Sequence, residues 1–162
     1  MPGYVPPPYG AFMIASAVKE TAAAVTNRAL PAWPDAGGPQ LEVLNEPIDD
    51  AEDNEHGELA WRAKGAPNAE FVLETLGPSP KSLVASPSPY DPRVMAVTED
   101  NTKYAGGKEA SGRWMFKKFE DRYEIVNAQY PEKCLTWAGP QLVLDHDRSA
   151  PNQQWDLRPP AW

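Results

Sequence analysis

The chain has 162 residues but a single cysteine, Cys134, and only two histidines, His56 and His146. One thiol excludes an internal disulfide framework and points to a reducing, cytoplasmic setting. Two histidines, each in an acidic stretch and without closely spaced further nitrogen or sulfur ligands, fall short of a zinc set. No run approaches the roughly eighteen apolar residues of a membrane span. The Pro- and Tyr-rich start, Met1 to Gly10, has neither the basic opening nor the apolar run of a secretory signal. Cations are short as well: 15 Lys and Arg against 23 Asp and Glu leave a formal charge of −8. Phosphate backbones need clustered positive charge, and Lys117-Lys118 is followed at once by Glu120-Asp121, so nucleic acid is not an expected partner.

Catalytic patterns are missing too. There is no Gly-x-Ser-x-Gly elbow, no Gly-x-Gly-x-x-Gly and no phosphate loop. Asp145-His146-Asp147 has the composition of an acid–base cluster. Side chains alternate along an extended edge, however, so His146 faces away from both aspartates and the triplet reads as a solvated turn. The acidic stretch Pro47 to Glu58 lacks the spacing of a calcium loop. Neither enzymatic activity nor a cofactor is expected.

Helical periodicity is scarce. Ala17 to Val25 is the only helix-friendly piece, and its Thr and Val residues suit a strand equally well. Nineteen prolines and eleven glycines punctuate many short apolar runs, the pattern of an all-β sandwich or barrel in one domain. The runs repeat in outline. One unit opens at Phe12-Met13-Ile14, passes Ala23-Ala24-Val25 and Leu41 to Leu44, and ends at Trp61. A second opens at Phe71-Val72-Leu73, passes Ser82-Leu83-Val84 and Val94 to Val97, and ends at Trp114. The third runs from Tyr123 through Cys134 to Trp137 and Leu142 to Leu144, and ends at Trp155. The openers Phe12, Phe71 and Tyr123 precede their tryptophans by 49, 43 and 32 residues. These differences fall in Pro-, Gly- and Asp-rich connections, where added length costs little. Three units of about four strands, spanning about 10–66, 67–119 and 120–160, predict a pseudo-threefold barrel capped by hairpins. Residues 1–9 form an extended, proline-stiffened arm.

The third unit carries Tyr123-x-Ile125-Val126-Asn127, Lys133-Cys134-Leu135 and Asn152-Gln153-Gln154-Trp155. This resembles the ricin-B-type β-trefoil, whose signature is Gln-x-Trp near the end of each unit. The first two units keep the tryptophan but have Leu59 and Gly112 in place of the Gln. The chain is also similar to the small cytosolic β-trefoils of mushrooms, which include lectins and protease inhibitors and imply a defence role. Plant Kunitz inhibitors, trefoils tied by disulfides, do not fit a single cysteine. In the ricin-type lectins the resemblance implies a sugar pocket made of an acid after the Cys-x motif, an aromatic platform, and Asn and Gln before the Trp. A sugar's apolar face stacks on an aromatic while its hydroxyls need oriented donors and acceptors. Here Asn152 and Gln153 match, Thr136 stands at the acidic position and Asp145 at the platform position, with Trp137 as a displaced platform. The competing role for Asn152 and Gln153 is structural, as amides satisfying the turn backbone.

A second expectation is a serine protease inhibitor whose partner is a protease. Stiff, projecting loops lose little entropy on binding. The Pro-rich segment Gly77 to Pro92, with Lys81 and Arg93 at its ends, is one such loop, and Asn27-Arg28 opens another that carries Trp33. A third is a structural subunit that binds another protein. The expected partner is thus a glycan or a protein.

Overall fold

The computed structural model describes residues 4–19, 21–30, 40–47, 60–66, 69–76, 79–86 and 90–159, the side chains of 27–30 and 47 excepted. Trp33, the acidic stretch with His56, and the side chains of Asn27 and Arg28 lie outside the described residues.

The fold is all-β. A short arm strand, β1 (Tyr4–Val5), precedes three sets of four. The first set is β2 (Ala11–Ser16), β3 (Thr21–Leu30), β4 (Gln40–Pro47) and β5 (Trp61–Ala66). The second is β6 (Glu70–Thr75), β7 (Ser82–Ala85), β8 (Val94–Val97) and β9 (Trp114–Phe119). The third is β10 (Arg122–Asn127), β11 (Lys133–Ala138), β12 (Gln141–His146) and β13 (Trp155–Arg158). The ambiguous stretch Ala17 to Val25 leads from β2 into β3 and is extended where it is regular, as its β-branched residues favour.

The outer strands of the sets close a circuit of antiparallel pairs: β2 with β5, β5 with β6, β6 with β9, β9 with β10, β10 with β13, and β13 back to β2. Closure removes the free edges that an open sheet would expose. The inner strands form hairpins, β3–β4, β7–β8 and β11–β12. These meet one another through β4–β8, β4–β12 and the bridge Arg93↔Val143. Asn45 strengthens one junction. Its backbone N–H donates to Pro140, and its amide donates to Gly139 and Gln141 in the β11–β12 turn. That turn needs Gly139, whose φ of 74° suits a residue without a Cβ.

The aromatic openers and the tryptophans meet as direct cross-strand partners: Phe12↔Trp61, Phe71↔Trp114 and Tyr123↔Trp155. All three indoles are fully buried in one core. Each indole N–H donates to the inner strand of its own set: Trp61 to Ala23 (3.0 Å), Trp114 to Leu83 (3.0 Å) and Trp155 to Leu135 (3.1 Å). A buried N–H must find an acceptor, and the same acceptor position serves three times. Phe116 stands between Phe71 and Tyr123 in edge-to-face contacts, with ring centroids 5.8 and 6.4 Å away. Within the arm, Tyr4 and Val5 pair with Lys117 and Phe116 of β9.

Candidate functional site

The third set holds most of the residues expected to contact a ligand. Before Trp155 the chain makes a single 3-10 turn, Pro151–Gln153, entered at Pro151 with its preset φ. The second set has the same turn, Ala110–Gly112, before Trp114. The turn swings Gln153 inward and leaves Asn152 at the rim.

Gln153 is fully buried. Its amide nitrogen donates to the Thr136 hydroxyl (3.2 Å) and the His146 carbonyl (2.7 Å). Its amide oxygen accepts from the backbone N–H of Arg148 (2.9 Å) and Ala150 (3.3 Å). A primary amide has two donors and two acceptor sites, so Gln153 is saturated within the protein. Thr136 is buried as well, its hydroxyl also donating to the Cys134 carbonyl (3.1 Å). Both residues were expected as ligand contacts. The structure places them beneath the surface, as the clamp that holds the loop of residues 145–153 against β11.

The groups left at the surface are Asn152, Trp137 and Asp145. Asn152 is half-buried, and its amide N–H donates to the Trp137 carbonyl (3.0 Å). Trp137 is half-buried against the core, and its indole N–H has no acceptor. Lys19, from the β2–β3 connection, stands over the ring with its ammonium 6.0 Å from the centroid. Asp145 pairs with Arg148 at 2.8 Å and accepts from the His146 backbone N–H (2.8 Å). The Arg148 guanidinium, with burial opposing it, holds the Asp145 carboxyl below the ordinary range, so it stays charged. Arg148 and Lys19 are contributors that sequence reasoning did not single out. Arg148 had a signal, three residues beyond Asp145 in the same turn. Lys19 had none, because only the β13–β2 pairing brings its turn to the third set.

The inhibitor candidates lie elsewhere. Lys81 precedes β7, where its backbone N–H donates to the Thr75 hydroxyl (2.9 Å) and its carbonyl accepts from Thr75 N–H (2.9 Å). Arg93 is exposed but forks onto Asp91, its Nε lying 2.9 Å from both carboxylate oxygens. That fork lowers the Asp91 carboxyl and raises the Arg93 guanidinium. Arg93 also edges a cavity of about 230 Å³ where β4, β8 and β12 converge, beside Glu42, Met95 and Gln141. Among the described residues no three His, Cys, Asp or Glu side chains are grouped to hold a metal ion. No helix there is long and apolar enough to cross a membrane.

No family model and no curated protein sequence matches the chain. Solved structures do match. The Haemophilus ducreyi cytolethal distending toxin superposes with a TM-score of 0.69 at 14% identity, over 98% of this chain and 89% of that one. The Rhizoctonia solani agglutinin gives 0.62 at 12% identity, over 95% and 97%. The chain has a ricin-B-type fold. It also matches the exo-β-1,3-galactanase 1,3Gal43A of Clostridium thermocellum, with a TM-score of 0.68 and 12% identity over 95% of this chain. There it spans only 31% of the larger protein, as it spans 35% of Cry35Ab1. At such identities the likeness establishes the fold and leaves the ligand to the site.

Proposed function

We propose that the chain is a non-enzymatic, lectin-like recognition protein, a β-trefoil of three pseudo-repeats whose third repeat binds a carbohydrate. Trp137, Asn152 and Asp145 are its contact residues, and Thr136 and Gln153 position them. One observation carries the reading. The Asn152 amide is fastened to the backbone carbonyl of Trp137, whose ring is partly exposed, and the charged Asp145–Arg148 pair lies further along the same hairpin. An aromatic face next to oriented polar groups is what a sugar ring requires. Likeness to an agglutinin and to a galactan-degrading enzyme supports the same class of ligand.

A glycan array on the full chain tests this, with Asn152→Ala and Trp137→Ala alongside. Binding to a defined glycan class, lost in both variants while thermal unfolding stays cooperative, is the expected result. An array without signal, together with inhibition of a trypsin-like enzyme that Arg93→Ala or Lys81→Ala abolishes, would replace it with the protease-inhibitor reading.

A further inference from the structure

Glu124 has no part in the site described above. It lies in β10 between Tyr123 and Ile125, which pack in the core, so its own side chain takes the opposite face of the strand. It is fully buried, and neither carboxyl oxygen has a hydrogen-bond partner. A buried carboxylate without a donor is costly, and such a group tends to keep its proton.

The groups that face it come from four elements. Lys117 lies opposite on β9, Cys134 belongs to β11, and Asp147 and Ser149 belong to the loop after β12. From β1, Tyr4 meets Lys117, whose ammonium stands 5.7 Å from the ring centroid. Asp145 of β12 acts on Cys134 from further out. The Lys117 ammonium is committed to Asp147, 3.4 Å away. Two carboxyl groups therefore share one cation, and the trio is neutral only while one of them holds a proton.

We infer that Glu124 and Asp147 form an acid-tightened latch, in which a shared proton fastens β10 to the loop of residues 145–153 and its loss loosens that loop. Burial first, and then the neighbouring Asp147, raise the Glu124 carboxyl from 4.5 to about 7. Burial opposes the charge on Asp147 also, but the neighbouring Glu124, the Ser149 backbone N–H and the Lys117 ammonium hold its carboxyl below the ordinary range. The proton accordingly sits on Glu124, from where a small shift would let it donate to Asp147. A group raised on folding stabilises fully below its unfolded value and loses that effect as pH climbs to its folded value. The latch is thus tight below about 4.5 and spent above about 7. If Glu124 titrates normally once the loop lifts, the opening constant rises about 30-fold between pH 5.5 and 8.5. This inference stands apart from the carbohydrate reading, since no ligand enters it.

The test is a carbon-detected NMR titration of the Glu124 carboxyl in the full chain, with amide hydrogen exchange of Arg148 and Ala150 at both pH values. We expect a midpoint near 7 and, after correction for intrinsic base catalysis, about 30-fold faster exchange at pH 8.5. Glu124→Gln supplies a neutral amide able to donate to Asp147, and should bring that ratio close to 1. A Glu124 midpoint near 4.5, or exchange in the unmodified chain that does not change with pH, would overturn the latch. Those two measurements decide the matter even if the variant does not fold.

Discussion

Replacing Trp155 by Phe removes one hydrogen bond and part of one ring from a site with no access to water. The Leu135 carbonyl, which now accepts from the indole at 3.1 Å, would be left buried without a donor. An orphaned buried acceptor costs about 1–3 kcal/mol. The smaller ring adds about 1 kcal/mol for the space it leaves, so a total of about 2–4 kcal/mol is expected. Trp61→Phe and Trp114→Phe orphan the Ala23 and Leu83 carbonyls in the same way and should cost similar amounts. Trp137→Phe is the contrast. Its N–H has no acceptor, so removing it relieves an unmet donor and should cost under about 1 kcal/mol. Urea unfolding resolves the difference. With a slope of about 2 kcal/mol per molar, the three core variants should shift the midpoint by about 1–2 M at unchanged slope. Equal midpoints for Trp155→Phe and Trp137→Phe would refute the reasoning, because they would mean that the three repeated bonds carry no weight.

Gly107→Ala should destabilise by about 2–4 kcal/mol, since its φ is +74° and a Cβ would run into Val72 Cγ2. Gly106→Ala, at φ +71° with open space around it, should cost only about 1 kcal/mol, and thermal unfolding of the pair checks the contrast. Burial, then Asp147 and Glu124, push the Cys134 thiol up to about 12, so a thiol reagent at pH 8 should label it only in denaturant. Rapid labelling of the folded chain would contradict that placement. Arg148→Ala should return the Asp145 carboxyl upward toward its ordinary range, as read by NMR titration. Asp145 is lowered on folding, so its contribution is present above the unfolded value and fades as pH falls. Gln153→Ala should lower stability by about 1–3 kcal/mol and weaken sugar binding indirectly, through the loop it clamps.

The repeated architecture was legible because aromatic residues large enough to anchor a core left a countable pattern. Phe12, Phe71 and Tyr123 could be matched to Trp61, Trp114 and Trp155 by order alone, and the pairing register then joined each to its partner. The arm was undecided in the sequence, since prolines fit a covered edge or free chain equally, and its pairing with β9 depends on a strand more than a hundred residues away. The candidate site was half legible. Motif position located Asn152 and Gln153 together, but adjacent residues in a 3-10 turn point in different directions. Only the fold assigns Gln153 to the interior and Asn152 to the rim. Glu124 was invisible as a special residue. In an alternating strand it reads as solvent-facing, and its cover comes from neighbouring strands and the loop bearing Asp147 and Ser149, which are distant in sequence.

The most direct test of the central claim follows the indole N–H resonances by NMR while the best glycan from an array is added. Trp61, Trp114 and Trp155 are buried and already bonded, so their signals should stay in place, while the Trp137 signal and the Asn152 side-chain amide should shift together and saturate. Shifts confined to other residues, with Trp137 and Asn152 unmoved at saturating sugar, would contradict a binding site in the third repeat.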